Sequence, residues 1–595
     1  MFSFPPLSIY RNYRLCDNEM KERIGMNGIP YNSAAEIREL IDLQDDRLDE
    51  ELARFRDEQV HGRKLSSQGL ELGRLALMLP LYCQPDSRYY HNSELLAILH
   101  ELAAAFLAIQ LPSGSVSLYN CNIDSPPDTA FTAHLVALLA ELGRRFGGAE
   151  TAAITETLVL FMERAQDSML YGGIHTPNHR WVHASALAKM HELFGGTAFR
   201  DRAFQFLNEG LDITEYGEWT ERSNAIYNAI CAYYLHTVGR TFDYEPAFEA
   251  AQSTLVMMSY LLHPGDTIAT EYSGRQDLGQ VAKLDDRFYA ACHLMAARSK
   301  DPILAALART ADRTSSKGSL GLIHWMLEPE LMELPGDDTP LSDSYTVLFG
   351  ENNVVRVPDR VPYLGPVVKH PHGASVLRHR RGKLSVTVMA GQQEMMYIQY
   401  GQARMPALKL GVGWFGIGAA AFPGIRKLAE DTYRMDVELE GCYFQPLAEE
   451  HTRDAKGMYV KLPNHLRERT DILHLRIGVE VKLLDDGVDV RIISEERADI
   501  YLQAVCMFDA HGQLQGEGLE HTAPSMQRLT EGTAVYSCGE DHIRIEEGAL
   551  EHFEVFMRND VINKEALNLT MNWVTPADRI LRFRFFSESE PNSTQ

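Results

Sequence analysis

Glu328-Pro329-Glu330-Leu331-Met332-Glu333-Leu334-Pro335-Gly336-Asp337-Asp338-Thr339-Pro340-Leu341-Ser342-Asp343-Ser344 divides this chain in two. Before it the apolar residues recur every three or four positions. After it they alternate. A period of 3.6 is the signature of amphipathic helices and a period of 2 that of half-buried strands. A Pro/Asp/Ser-rich stretch between the two regimes reads as a linker.

Upstream, helical runs are predicted at about 67–82, 92–110, 130–146, 149–169, 180–195, 198–211, 222–238, 244–262, 279–297 and 301–312, after a charged amphipathic helix that starts near Ser33. Short connections join them, and no fixed-period repeat marks a solenoid. Polar clusters instead recur at every second helix start: Asn122 to Asp128, His175 to Trp181, Glu218 to Asn228 and Glu271 to Asp277. In a ring of helical hairpins alternate loops converge on one mouth, so the spacing favours an α/α toroid. Downstream, a hairpin is expected around Arg381-Gly382, and strands at 432–440, 473–483, 487–493, 500–507, 541–546, 551–557 and 579–586. The fold class is therefore a multidomain chain, α then β: an (α/α) toroid over 33–335, an antiparallel β-sandwich over 346–587, a lead-in over 1–32 and a frayed tail over 588–595.

The bulk properties exclude some classes. The chain of 595 residues has 57 Lys and Arg against 82 Asp and Glu, a net charge of −25. That argues against a nucleic-acid or anionic-membrane binder. No run approaches the roughly 18 apolar residues of a membrane span. The first residues lack a secretion signal, and the eight cysteines include no C-x-x-C pair, so a cytoplasmic address is expected. The oligomeric state stays open, a homo-oligomer included.

Each polar cluster admits a structural and a chemical reading. Asn178-His179 joins an amide donor to a group that titrates near neutrality. His175 and Arg180 flank it, and Trp181 offers a flat face for a sugar ring. The bland alternative is that Asn178 caps the next helix. In Glu218-Trp219-Thr220-Glu221-Arg222-Ser223, followed by Tyr227 and Asn228, capping competes with a pocket that carries two carboxylates, a second stacking tryptophan and a tyrosine able to move a proton. Asp128 either caps a helix or faces the mouth. Arg275, beside Gln276, can hold a carboxylate; its alternative is a loop salt bridge to Asp277. His370 and His372 share a strand face, but no third ligand follows, so no metal site is assigned. No phosphate loop, nucleophile elbow or dinucleotide fingerprint stands in context, and no cofactor is expected.

These residues and this architecture resemble the heparinase II/III-like and alginate-lyase-like polysaccharide lyases. In that group an Asn-His pair stands on a toroid loop, and a catalytic tyrosine follows behind an acidic Gly/Glu motif. Asn178-His179 matches the pair, and Tyr227 behind Gly217-Glu218 and Glu221 matches the second element, with a longer Glu-to-Tyr spacing than usual. His370 or His372 is the nearest match to the histidine that opens the sandwich, although Gly373 and Ala374 replace the residues that complete a zinc site. The resemblance implies β-elimination on an acidic oligosaccharide. Asn178 would neutralise the carboxylate, and His179 or Tyr227 would act as base and acid. Arg275 would orient the substrate, with Asp128, His175, Trp181, Trp219, Asn228, Gln276 and His372 around it. Two rivals stand beside it. A glycoside hydrolase would use two carboxylates about 5–10 Å apart, drawn from Asp128, Glu218 and Glu221. A non-catalytic glycan-binding protein would keep only the tryptophans.

Overall fold

A computed structural model describes residues 31–61, 67–336, 339–351, 353, 373–452 and 457–588. Nearly all of the expected lead-in, His370, His372 and the tail from 589 lie outside the described residues. The helices are α1 (Tyr31–His61), α2 (Gln68–Cys83), α3 (Ser93–Ile109), α4 (Pro126–Phe146), α5 (Ala152–Tyr171), α6 (His179–Phe194), α7 (Ala198–Leu207), α8 (Tyr227–Phe242), α9 (Glu245–Met258), α10 (Asp286–Ser299), α11 (Pro302–Thr314) and α12 (Ser319–Leu327). Helices come first and sheets after, the order of an α/α toroid followed by an antiparallel β-sandwich.

The chain forms two compact units. Among the described residues, one comprises those up to 172 with 189–195 and 316–335, the other 173–188, 196–315 and those from 336 onward. In the first, α4 packs on α5 and α2 on α3, α4 and α12. Helix α4 begins where proline allows it to: Ser125 caps, with Oγ accepting from the Asp128 N–H, and Pro126 and Pro127 fill the first turn, where a missing N–H costs nothing. A short hairpin, Val116–Leu118 with Asn122–Ser125, precedes it, a pairing too brief to show as alternation.

In the second unit α8 packs on α9 and α10, and α10 on α11. Two expected helices start later than their apolar period suggests. The run 222–238 becomes helical at Tyr227, and the run 279–297 at Asp286. In both, the polar residues ahead of the helix are spent on loop contacts. Helix α12 went unforeseen because only nine residues carry it.

The same unit contains an eight-stranded and a ten-stranded sheet. The expected hairpin is Val376–Arg381 with Leu384–Met389, closing at Arg381 opposite Leu384. Pairing is antiparallel throughout the named strands except where Met526–Leu529 runs parallel to Leu567–Val574. Alternate side chains from both sheets share one core. Val386, Val388, Leu408 and Leu410 come from the larger sheet, and Val479, Val481, Val490, Ile492 and Phe583 from the smaller. The run 551–557 is not a strand: it is irregular, with Phe553 and Phe556 exposed and Met557 buried. Its apolar residues suggested alternation, but the segment lies as a strap along the larger sheet. Asn572 donates to the His552 and Glu554 carbonyls, and Gln503 to those of Glu554 and Val555.

A polar joint fastens the sandwich to the helices of this unit. The wholly buried Arg378 donates to the Tyr260 carbonyl (3.0 Å) and the Leu262 carbonyl (3.3 Å). Glu271 accepts from Thr387 and lies 3.3 Å from His263 Nε2 and 3.7 Å from Arg378. Burial opposes the Glu271 charge, but His263, Arg378 and Thr387 hold its carboxyl down to about 2. Burial likewise holds His263 below its usual range. Glu271, expected at a mouth, is thus part of a structural joint.

Candidate active site

Asn178 stands immediately before α6, with Pro177 ending the preceding loop. Its carbonyl accepts from Trp181 and Val182, the backbone role of an N-cap. Its side chain is diverted from capping. Nδ2 donates to Glu221 Oε2 (2.7 Å) and Thr176 Oγ1 (3.1 Å), and its backbone N–H also donates to Glu221 Oε2 (2.9 Å). Both amide hydrogens are therefore taken, and the buried Oδ1 makes no hydrogen bond among the described residues. A carboxylate at a helix N-terminus meets the positive end of the helix dipole, which favours Glu221 there.

Glu221 is 3% exposed, and its second oxygen pairs with Arg275. Burial pushes its carboxyl above the usual range, against Arg275 and the Asn178 donors. The same guanidinium lies over the Tyr227 ring, 4.8 Å from its centroid, and Nη2 reaches the phenol oxygen at 3.5 Å. Gln276 Nε2 donates to that oxygen at 3.0 Å. One hydrogen-bonded run thus joins Asn178, Glu221, Arg275, Tyr227 and Gln276. His179 lies beside it, with His175 edge-on to its ring at 4.7 Å. Burial, then the neighbouring His175, Arg275 and His183, push His179 down to about 3, so it is neutral at neutral pH.

The loop before α8 explains why these segments meet. Ser223 and Asn224 are not on the helix, contrary to the run predicted from 222. Ser223 Oγ donates to Asp277 Oδ1 (2.9 Å) and accepts from the Tyr227 N–H (3.3 Å). Asp277 Oδ2 accepts from the Ala225 N–H (3.0 Å). Asp277 therefore does not pair with Arg275, as the loop-salt-bridge reading had it. It clamps the loop over 270–280 to the approach of α8, and this leaves Arg275 for Glu221. Nothing in the sequence singled out Asp277 for that task except its distance of two residues from Arg275.

Several expected site residues have other roles. Glu218 is 3% exposed, and its Oε2 accepts from the Ala374 N–H (2.5 Å) and Tyr216 Oη (3.3 Å), while Oε1 lies 3.2 Å from Arg222 Nε. It holds the segment at Gly373 to the helical part of its unit. A Cβ at Gly373 (φ +74°) would lie 2.0 Å from Tyr216 Oη, so this approach needs glycine. Trp181 is 0% and Trp219 2% exposed, packed on each other at 5.9 Å with Arg180 over the Trp181 ring. The expectation of a stacking face is corrected for Trp181, whose area is spent on the core, while Trp219 is buried against it and borders a cavity. Asn228 is also corrected. It is buried between helices, with Nδ2 on Asn224 Oδ1 (3.3 Å) and Met258 Sδ (3.4 Å). Asp128 belongs to the other compact unit, where its Oδ2 accepts from Asn122 (2.7 Å) and Ser125. Three of the four polar clusters thus belong to the second unit, and residues of those three form the run. The fourth does not belong to that unit. A cavity of about 290 Å³ in the second unit is lined by Asp212, Thr214, Glu218, Trp219, Arg222 and Gly373; Tyr227 and Arg275 are not on its wall.

The sequence matches no protein-family model and no curated protein. Three solved structures show a limited similarity to it. The Streptomyces coelicolor A3 chondroitin AC lyase in complex with chondroitin sulphate is similar over 95% of this chain and 81% of its own, at 12% identity and a TM-score of 0.48. Heparinase III is similar over 88% of this chain and 78% of its own, at 11% identity and a TM-score of 0.46. The heparan sulfate lyase HepC from Pedobacter heparinus covers 88% of this chain and 77% of its own, at 10% identity and a TM-score of 0.44.

Proposed function

We propose that the protein is a carbohydrate-active lyase that cleaves a uronic-acid-containing oligo- or polysaccharide by β-elimination. The observation that carries this reading is the run from Asn178 through Glu221 and Arg275 to Tyr227. Elimination needs a cation near the substrate carboxylate, because charge builds there as the neighbouring C–H proton leaves. It also needs a group that takes that proton and returns one to the leaving oxygen. Arg275 and Tyr227, in contact, supply both.

Between the two bases that the sequence left open, position favours Tyr227, whose oxygen is reached by both Arg275 and Gln276. A general base works best with a pKa near the working pH. Burial and the neighbouring His175, Arg275 and His183 hold His179 well below its usual range, which weakens it as a base. Tyr227 acts from its phenolate, faced by the Arg275 and Gln276 donors: it takes the C5 proton, the C–H electrons form the C4–C5 double bond, the C4–O bond breaks, and Tyr227 passes the same proton to the departing oxygen and returns to phenolate. His179 lines the site as a neutral ring. Arg275 takes the substrate carboxylate. Asn178, whose amide hydrogens are already engaged, braces Glu221 and through it Arg275, which differs from the carboxylate-binding role that the family resemblance implies.

The hydrolase reading has less support. Glu221 has both oxygens engaged, Glu218 is bound to the segment at Ala374, and Asp128 accepts from Asn122 and Ser125. Hydrolysis requires a carboxylic acid and a carboxylate that face the glycosidic bond. A glycan-binding protein would need both tryptophans open to a sugar ring, and Trp181 is wholly buried. No described helix is long and apolar enough to cross a membrane. We retain the cytoplasmic address as part of the proposal, which favours short oligosaccharides as substrates. A panel of uronate oligosaccharides, read by ultraviolet absorbance and by mass, tests the reading. Unsaturated products at the mass of the parent fragments are expected. Products that have gained water and no absorbance would contradict it.

A further inference from the structure

Gln276 was expected to touch substrate. Its side chain instead turns to Tyr227, donating from Nε2 to the phenol oxygen at 3.0 Å. Arg275 Nη2 approaches the same oxygen at 3.5 Å while its other arm holds Glu221. A phenol oxygen has one hydrogen and acceptor capacity for such donors. Two N–H groups take two lone pairs of the phenolate, so the third is left to face the C5 proton, and the hydrogen that Tyr227 then carries points the same way, toward the leaving oxygen. The phenolate meets both donors, and Gln276 is the closer of the two.

Gln276 is itself held in place although its side chain is exposed. Its carbonyl accepts from Gln280 Nε2 at 2.6 Å, and the Gln280 N–H donates to the Asp277 carbonyl at 3.1 Å. Asp277, 1% exposed, is bound to Ser223 and Ala225 just ahead of Tyr227. The donor and the phenol are therefore carried by two segments fastened to each other within a few residues of the contact.

We propose that Gln276 is a positioning residue for Tyr227. Its amide N–H fixes the direction of the phenol hydrogen and stays on the oxygen while Tyr227 carries the proton. This rests on the reading of Tyr227 as the proton-transfer group.

The test compares Gln276→Ala, Gln276→Glu and Gln276→Lys with Tyr227→Phe on one cleavable uronate oligosaccharide, measuring kcat and KM separately. Glu keeps the shape of Gln and replaces the donor with an acceptor; Lys restores a donor. Loss of one hydrogen bond to a charged group is expected to lower kcat about tenfold in Gln276→Ala. The fall should be at least as large in Gln276→Glu, with KM nearly unchanged and part of the rate recovered in Gln276→Lys. Melting temperatures should stay at the wild-type value, since the side chain is exposed. A raised KM at unchanged kcat would put Gln276 on the substrate and overturn the proposal. So would a Gln276→Glu enzyme at the wild-type rate when Tyr227→Phe is dead. If Tyr227→Phe itself keeps its rate, the reading of Tyr227 has failed, and the role given to Gln276 falls with it.

Discussion

Glu221 and Arg275 form a pair that is nearly out of solvent, with side chains 2% and 14% exposed. Breaking such a pair leaves one charge buried and uncompensated. Glu221→Gln is expected to cost about 3 kcal/mol, the low end of the range for a broken buried pair because Arg275 keeps some contact with water. Urea unfolding checks this, and a stability within experimental error of wild type would show that the pair contributes little. The same variant should also lose activity, because Arg275 would no longer be held over the Tyr227 ring. Asn178→Ala should follow it in both respects but less severely, since it removes one brace and no charge. An Asn178→Ala enzyme less active than Glu221→Gln would mean that Asn178 touches substrate directly.

The loop that carries Glu218 turns at Gly217, whose φ is +100°. A Cβ there would lie 2.3 Å from the Ser253 carbonyl oxygen, a backbone atom that cannot swing away. Gly217→Ala is expected to destabilise by about 1–3 kcal/mol through backbone strain, and more through the clash, and should appear as a lowered melting temperature. The element scale also separates what was legible in the sequence from what was not. The change of period across residues 328–344 located helices and sheets, because burying one face imposes that period whatever the partner. The strands Gly487–Ser494 and Asp541–Glu546 lie where alternation put them. The joining of Asn178, Glu221, Arg275 and Tyr227 was visible only as separate clusters. Their union depends on Asp277 holding Ser223, a contact between loops that no local pattern encodes. Trp181 misled for a related reason. A tryptophan in a polar loop looks the same on paper whether its face is covered or open, and here Arg180 and Trp219 cover it.

Across the whole molecule charge gives two further expectations. Burial opposes the Glu271 charge, yet His263, Arg378 and Thr387 hold its carboxyl down to about 2, below the usual carboxylate range. A carboxyl lowered on folding adds stability above its unfolded pKa and loses it as pH falls through the folded value. The stability advantage of wild type over Glu271→Gln should therefore be full above pH 4.5 and shrink as pH approaches about 2. Glu221, raised by burial, works in the opposite sense over its own range, so the difference between the two proteins is the quantity to measure. A difference that does not change with pH would remove Glu271 from the joint. The net charge of −25 should also repel an acidic substrate at long range. Salt screens that repulsion, with a Debye length of about 10 Å at 0.1 M. KM for a uronate oligosaccharide is expected to fall as ionic strength rises from low to moderate. A KM that rises instead would indicate that attraction by local cations such as Arg275 dominates the encounter.

The rate of Tyr227→Phe tests elimination through Tyr227 most directly. The substitution keeps the ring under Arg275 and removes only the hydroxyl, so binding and folding should change little. A proton-transfer group contributes about 10²–10⁴-fold, and one that makes both transfers belongs at the top of that range. Measured by the appearance of the unsaturated product, Tyr227→Phe should lose at least about 10³-fold in kcat with KM nearly unchanged. A Tyr227→Phe enzyme within about tenfold of wild type would contradict the mechanism, all the more if Glu218→Gln or Asp128→Asn proved inactive in the same assay.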